Sequence, residues 1–333
     1  MSSSTDKIQA ASGLAVQRPK DLVFTLFGDF LLHRPDPVWV GSLISLLAPF
    51  EVSEGAVRTV LSRMTTKGWI EAERRGRNSY YRLAAKGRKL LEEGEARIYH
   101  PPGDEAWSGV WTLITYSIPE ERRQLRDSLR VRLSWLGCGS LGNGLWITPH
   151  DIRREVEEIA EGLEIRENLE VFRAEHAGFS PVADLVDQCW NLPSINRRYE
   201  AFIKRHLPDF ERCRPAVEEG RLAAEEAFVR RFALVHEYRE FPLIDPYLPK
   251  PLQLPGWGGE CAAALFNAYH DLLMPLADEY VDKTLAAAPG AEAPVKKAWW
   301  TAPVNTITEI ESSNAASRKA VASSSSAGVE YAL

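Results

Sequence analysis

At 333 residues the chain exceeds what one compact core organises and fits two or three cores of roughly 70 to 150 residues each. Its apolar fraction of 45% and charged fraction of 26% belong to a chain that folds, and a formal net charge of -6 excludes a uniformly basic nucleic-acid coat, so any DNA contact needs a local concentration of cations. Residues 1–17 hold neither a basic n-region nor a long apolar run, and no stretch of about 18 apolar residues follows, so neither export nor a membrane span is expected. Cys138, Cys189, Cys213 and Cys261 lie far apart, without a CxxC pair or a His at ligand spacing. That pattern argues against a zinc site or a redox dithiol and fits a reducing cytoplasm, with no metal and no cofactor expected.

Residues 1–17 are small and polar and are expected to be disordered. A helix then begins, with Leu22, Val23, Leu26, Phe27, Phe30 and Leu31 in one apolar stripe at the helical period, ended by Pro35 and Pro37. A short helix with Val40, Leu43, Ile44 and Leu47 stops at Pro49, and Ser53 supplies an N-cap oxygen for the helix that follows. On that third helix Ala56, Val57, Val60, Leu61 and Met64 share one face, whereas Gly55, Arg58, Thr59, Ser62, Arg63 and Thr66 share the other. One face packs and the other is polar and cationic. A helix of this kind fits the major groove, where forked Arg donors read guanine edges and short hydroxyls reach phosphates or bases.

Gly68 ends the helix, and Trp69 to Arg74 and Ser79 to Leu83 read as two strands joined by Arg75-Gly76-Arg77-Asn78, in which Gly and Asn tolerate the positive φ of a hairpin. This is a basic wing. Between Ser53 and Leu90 ten Lys and Arg residues face three acids, a local charge of +7. A solvated helix face and a charged hairpin explain each piece alone; their order, inside an acidic protein, predicts a winged helix-turn-helix over 18–100 that binds double-stranded operator DNA. The predicted contacts are Ser53, Arg58, Thr59, Ser62, Arg63, Thr66, Lys67, Arg74, Arg75, Arg77 and Asn78.

These residues bear a family resemblance. Val52 to Met64, followed by Lys67-Gly68-Trp69, resembles the PaaX family of phenylacetate-catabolism repressors. Trp107 to Trp111, Gly144 to Pro149 and Phe241 to Pro249 resemble that family's central and C-terminal segments, so the likeness spans roughly residues 18–285. It implies a homodimeric repressor that releases DNA when an aryl-acyl-coenzyme A, typically phenylacetyl-coenzyme A, binds. A dimer also follows from geometry, because one small winged helix covers a half-site and two related by a two-fold axis read a palindrome.

Pro101-Pro102-Gly103 marks a domain boundary. Residues 104–178 then read strand (Val110 to Ile118), helix (Leu125, Leu129, Leu133, Leu136), a hairpin around Gly142-Asn143-Gly144, helix (Ile152, Val156, Ile159) and strand (Leu169 to Ala174), the βαββαβ order of a ferredoxin-like domain. This order is similar to small metal-dependent nuclease subunits of CRISPR systems, whose acidic residue ends the first strand. Here that place holds Tyr116-Ser117-Ile118-Pro119, so the alternative function, a metal-dependent nuclease or nucleic-acid-processing protein, lacks its metal-binding acid. A further alternative is a DNA-binding architectural protein with no effector response.

Gly137, Gly139 and Gly142 spell GxGxxG but follow a helical segment, and are expected to serve turns. His236 to Glu240 lacks the second His of HExxH and reads as ordinary helix, so no catalytic residues are expected. Arg122, Arg126 and Arg130, spaced by four, form a guanidinium row that suits coenzyme A phosphates; the competing reading is a solvated stripe paired with Glu121 and Asp127. After a boundary near Gly178 to Pro181, residues 181–290 read as a mainly helical domain. Leu185, Trp190, Tyr199, Phe202, Ile203, Leu222, Val229, Phe232, Ala264, Leu265, Ala268, Leu272 and Leu276 form its apolar stripes, interrupted by the Pro-rich connector Phe241 to Pro255. Trp257 and Gly258-Gly259 beside that connector suit either an acyl pocket or loop and core packing. Residues 311–333, with Ser323 to Ser326, read as a disordered tail. The expected class is α+β and multidomain.

Overall fold

The structure, a computed structural model, describes residues 18–34, 37–99 and 107–289. The expected disordered ends, residues 1–17 and 311–333, and the boundary prolines at 101 and 102 lie outside the described residues. Helices and strands are mixed, with a sheet-containing central region and a helical C-terminal region, so the protein is α+β. No described helix is long and apolar enough to cross a membrane. The chain divides into two compact units. Among the described residues, one combines those between 18 and 99 with 200–239 and 258–289; the other combines 107–199 with 240–257.

In the first unit α1 (Pro19–Thr25) starts with Pro at its first position, where the missing N–H costs no hydrogen bond, and continues as a wider π-helical stretch over Leu26–Leu31. The expected stripe is buried throughout, from Leu22 to Leu31. Strand β1 (Val38–Trp39), unread in the sequence, precedes α2 (Val40–Leu47). Then come α3 (Glu54–Thr66), the antiparallel hairpin β2 (Ile70–Arg75) and β3 (Asn78–Leu83), and α4 (Ala85–Tyr99). The three strands form a sheet in the order β1-β3-β2. Gly87 is required where α4 passes the hairpin, since a Cβ there would stand 2.0 Å from the Trp69 carbonyl oxygen.

Helix α8 (Leu192–Glu218) begins in the second unit's segment and contributes Phe202 and Phe210 to the first unit's core, with α9 (Ala224–Tyr238) and α10 (Gly259–Ala286). Phe30 meets Phe228 with ring centroids 4.9 Å apart and Phe50 meets Phe232 at 4.1 Å, so the C-terminal helices share one core with the N-terminal segment. On α10 the buried face is Cys261, Ala262, Leu265, Phe266, Tyr269, His270, Leu273, Ala277 and Val281. Of the expected stripe Leu265 is buried, whereas Ala264, Ala268, Leu272 and Leu276 are only partly buried and lie about one residue off the buried face. Tyr269 and His270 look polar in the sequence, yet both are inside because each finds a hydrogen-bonding partner there: Asp209 for Tyr269 and Tyr99 for His270.

The second unit runs β4 (Val110–Tyr116), α5 (Arg123–Trp135), β5 (Gly139–Gly142), β6 (Leu145–Thr148), α6 (Arg153–Gly162) and β7 (Leu169–Glu175). Its sheet is antiparallel in the order β5-β6-β4-β7, which leaves β5 at one edge. Leu129 and Leu133 of α5 and Val156 of α6 pack with Ile114, Trp146 and Leu169 from the strands. Gly142, Asn143 and Gly144 all have positive φ at the hairpin turn, and Gly137 has φ +81 at the end of α5. Gly139 admits no Cβ because Cys189 and Trp190 lie within 2.8 Å of its position. The three glycines of the GxGxxG spelling therefore serve turns and close packing.

Helix α7 (Val182–Cys189) leads to Trp190, whose ring stacks on Trp111 at 6.4 Å and whose Nε1 donates to the Gly137 carbonyl at 3.1 Å. The connector folds back on this unit. Tyr199 stacks on Phe241 at 4.0 Å and donates a 2.5 Å hydrogen bond to Asp245, whose other oxygen accepts from the Tyr247 N–H. Burial pushes the Asp245 carboxyl above its ordinary range.

Candidate DNA-binding face

Ser53 occupies the N-cap of α3, and its Oγ accepts from the Ala56 N–H at 3.2 Å. That bond fixes where the helix starts, and therefore which residues point outward. Val57, Val60, Leu61 and Met64 are buried; Ser53, Gly55, Arg58, Thr59, Ser62, Arg63 and Thr66 are exposed along one face. The Thr59 and Thr66 hydroxyls donate to the carbonyls of Gly55 and Ser62, leaving their oxygen lone pairs as acceptors. Lys67 ends the helix with its ammonium 5.1 Å from the Trp69 ring centroid.

The cations of this face fall into two groups. Arg58 gives two hydrogen bonds to Glu54, at 2.7 and 2.9 Å, Arg82 pairs with Glu71, and Arg75 pairs with Glu73 while its guanidinium sits 4.8 Å from the Tyr80 ring centroid. The hydrogen bond to Arg75 holds the Glu73 carboxyl below its ordinary range. Arg63, Arg74 and Arg77 are exposed and have no carboxylate partner among the described residues. All three acids of the +7 segment are thus held by arginines, and among the cations this leaves over are Arg63 in the middle of α3 and Arg74 and Arg77 at the hairpin tip.

At that tip Arg75 and Asn78 are paired residues and Gly76-Arg77 form the two-residue turn, with Gly76 at φ +61. A glycine-first turn matches the twist of the strands. Only the glycine has the expected positive φ. Asn78 begins β3 with ordinary strand geometry, because the loop is one residue shorter on each side than the sequence reading drew it.

The row Arg122, Arg126 and Arg130 splits. Arg122 ends a 3-10 turn ahead of α5 and donates to the Glu164 carbonyl at 3.0 Å. Arg126 and Arg130 lie on α5 and line a cleft of about 410 Å³ with Tyr116, Ser117, Ser140 and the Gly142–Gly144 turn. Arg126 meets Glu120 at 2.8 Å, not the expected Glu121, whereas Arg123 is the residue beside Asp127. The 3-10 start rotates Arg122 off the α-helical face that a spacing of four assumes.

One constellation escaped the sequence reading. Asp29, in the π-helical stretch, is buried against Arg231 at 3.0 Å and accepts from the Tyr99 hydroxyl at 2.5 Å, with His270 at 3.5 Å. Arg231 also holds Asp278 at 3.0 Å. Burial alone pushes the Asp29 carboxyl up, and Arg231, with His270 and Tyr99, more than reverses this, so it stays ionised well below the usual carboxylate range. The signal was present: Asp29 projects onto the apolar stripe of α1, and an acid there calls for a buried cation. His236, from the HExxH-like stretch, is likewise absorbed in packing, with Nδ1 2.7 Å from the Thr25 hydroxyl.

Comparison with known proteins gives this face its context. Three family descriptions match in order: "PaaX-like protein" over residues 18–87, "PaaX protein central Cas2-like domain" over 104–186 and "PaaX-like protein C-terminal domain" over 190–283. The "Transcriptional repressor PaaX" of Escherichia coli K12 is 33% identical over 265 residues, covering 79% of this chain and 82% of that protein. The chain belongs to the PaaX family. Among solved structures, the uncharacterized protein Rv0674 from Mycobacterium tuberculosis is similar with a TM-score of 0.49 and 24% identity, covering 80% of this chain and 98% of that one. Within the PaaX-like match at 18–87 lie α3 and the whole β2–β3 hairpin.

Proposed function

We propose that this PaaX-family chain is a cytoplasmic, homodimeric transcriptional repressor of a phenylacetate-type catabolic operon. The observation that carries this reading is the exposed face of α3, capped by Ser53 and bearing Arg58 and Arg63, with an arginine-rich hairpin after it. In this reading α2 and α3 with the β2–β3 hairpin are a winged helix-turn-helix: α3 enters the major groove, and Arg74, Arg75 and Arg77 neutralise phosphates. The E. coli relative's name as a transcriptional repressor supports it. The sheet order β5-β6-β4-β7, with α5 and α6 packed in one core with its strands, supports a ferredoxin-like central domain.

Release is proposed to follow binding of an aryl-acyl-coenzyme A such as phenylacetyl-coenzyme A, with Arg126 and Arg130 taking its phosphates and Arg122 bracing the turn ahead of them. The ligand must favour an arrangement in which the two α3 helices no longer match the half-site spacing, since equal affinity for both arrangements shifts nothing.

The test is selection of bound duplexes from a random pool, then titration of the recovered sequence with Mg²⁺ present. Retarded, intact DNA whose affinity falls for Arg63→Ala by roughly 1–3 kcal/mol, at unchanged thermal stability, supports the reading. Arg77→Ala should weaken all duplexes alike and lower the salt slope by about 1. Cleaved DNA, or an Arg63→Ala protein that binds normally, overturns it. At the place of the nuclease acid stand Tyr116, Ser117 and Ile118, and no group of three or more metal-ligating His, Cys, Asp or Glu side chains occurs among the described residues.

A further inference from the structure

Arg126 and Arg130 stand one turn apart on α5 and line the same cleft, although like charges so placed repel. Arg130 is exposed and has no carboxylate partner among the described residues, and Arg126 is held only by Glu120, itself an exposed residue. Two guanidinium groups beside the hydroxyls of Ser117 and Ser140 suit an anion with several oxygens. A second cavity, of about 370 Å³, opens at the other end of the same helix. Ser134 and Cys138 contribute to it, and Trp190, Ile195, Ile244 and Pro246 make its apolar wall.

We propose that these two cavities form one binding site, strung along the seam between α5 and the edge strand β5, for an amphipathic phosphate whose acyl or aryl group enters the second cavity. The proposal rests on the effector reading above and places its ligand. Arg126, Arg130 and Ser134 occupy successive turns of α5, so the anionic and apolar ends lie roughly 6–12 Å apart. Ser140 and Cys138 repeat this order beside them on the chain entering β5. The upper part of that range exceeds the reach of a simple acyl phosphate and suits an acyl group on an extended carrier arm, as in a coenzyme A thioester.

The second cavity is suited to such a group. Its floor is close-packed: Gly137, at φ +81, lies against the backbone of Pro246, where a Cβ would stand 3.1 Å from the Pro246 Cα. Leu243, at its mouth, is 55% exposed, an apolar side chain left in solvent that a bound acyl group would cover. Burial pushes the thiols of Cys138 and Cys189 up to about 12 and about 11, so both line the cavity as neutral thiols and neither attacks a thioester held beside it.

Calorimetric titration of the full chain with phenylacetyl-coenzyme A and with free coenzyme A tests the placement. Arg130→Ala is expected to weaken both ligands by a similar factor of ten or more. Ser194→Trp, which fills the second cavity, is expected to weaken phenylacetyl-coenzyme A at least tenfold and free coenzyme A by less than twofold. Leu243→Glu, at the exposed mouth, makes the same discrimination if the Trp variant does not fold. Wild-type affinity for phenylacetyl-coenzyme A in the Arg130 variant or in the cavity variants, or equal loss of both ligands in the latter, overturns the two-part site while leaving an effector elsewhere. A wild-type chain that binds no aryl-acyl-coenzyme A overturns the effector reading itself, and this placement with it.

Discussion

Asp29→Asn preserves the volume of a buried side chain and removes the charge that Arg231 faces. At the observed 3.0 Å, opposite unit charges attract by roughly 5–6 kcal/mol at an effective dielectric constant of 20, against which the cost of burying both must be set. Deleting one member of a buried pair costs about 3–5 kcal/mol, because the other is left without compensation. Arg231 keeps Asp278, which is 26% exposed, and this places the expected loss near the lower end, about 3 kcal/mol. At roughly 2–4 °C per kcal/mol for a core of this size, the melting temperature at pH 7 should fall by about 6–12 °C in calorimetry. The Asp29 carboxyl titrates below its unfolded value, so its contribution is complete above the ordinary carboxylate range and is lost as pH falls through the folded value. The Asn variant should lack that part of the acid slope. A melting temperature within about 2 °C of wild type, or an identical acid slope in both proteins, would refute the electrostatic account of this cluster.

Glu54→Gln releases Arg58 from its carboxylate and should raise affinity for non-specific duplexes, read as a steeper salt dependence in anisotropy titrations; an unchanged slope means that the pair does not restrain Arg58. Gly87→Ala places a methyl group 2.0 Å from the Trp69 carbonyl oxygen and should destabilise the chain by about 3 kcal/mol, measured by urea unfolding. His236 is held neutral by burial, with Arg239 adding to the effect, and its pKa falls to about 3. Its contribution to stability is therefore full above the unfolded value near 6.5 and lost as pH drops toward 3, so His236→Asn should flatten the stability profile between those limits.

The exposed face of α3 and the hairpin after it were legible because their signals are local. Ser53, the apolar spacing from Val57 to Met64, and Gly68 and Gly76 each act over a few residues, and together they locate the face of α3 and the hairpin. Strand β1 was not legible: two residues carry no period, and they become a strand only by pairing with Tyr80 and Tyr81, some forty positions away. The buried face of α10 was misplaced for the same reason, since Tyr269 and His270 are polar until Asp209 and Tyr99 are brought to them. For the arginine row the spacing was right and the helix start was wrong, which removed Arg122 from the face shared by Arg126 and Arg130.

The last described turns of the chain are fastened to its beginning. Ser42 donates to the Thr284 carbonyl at 3.1 Å, Tyr80 to the Pro289 carbonyl at 2.8 Å, and Arg34 binds Asp282 at 2.9 Å. On the ribosome, the segment that carries α3 therefore emerges long before the helices that complete its core. Phe30 and Phe50 await Phe228 and Phe232 across some two hundred residues of synthesis. A polypeptide cut short before residue 224 would leave this apolar surface uncovered, and quality-control proteases would meet it before the core closed over it.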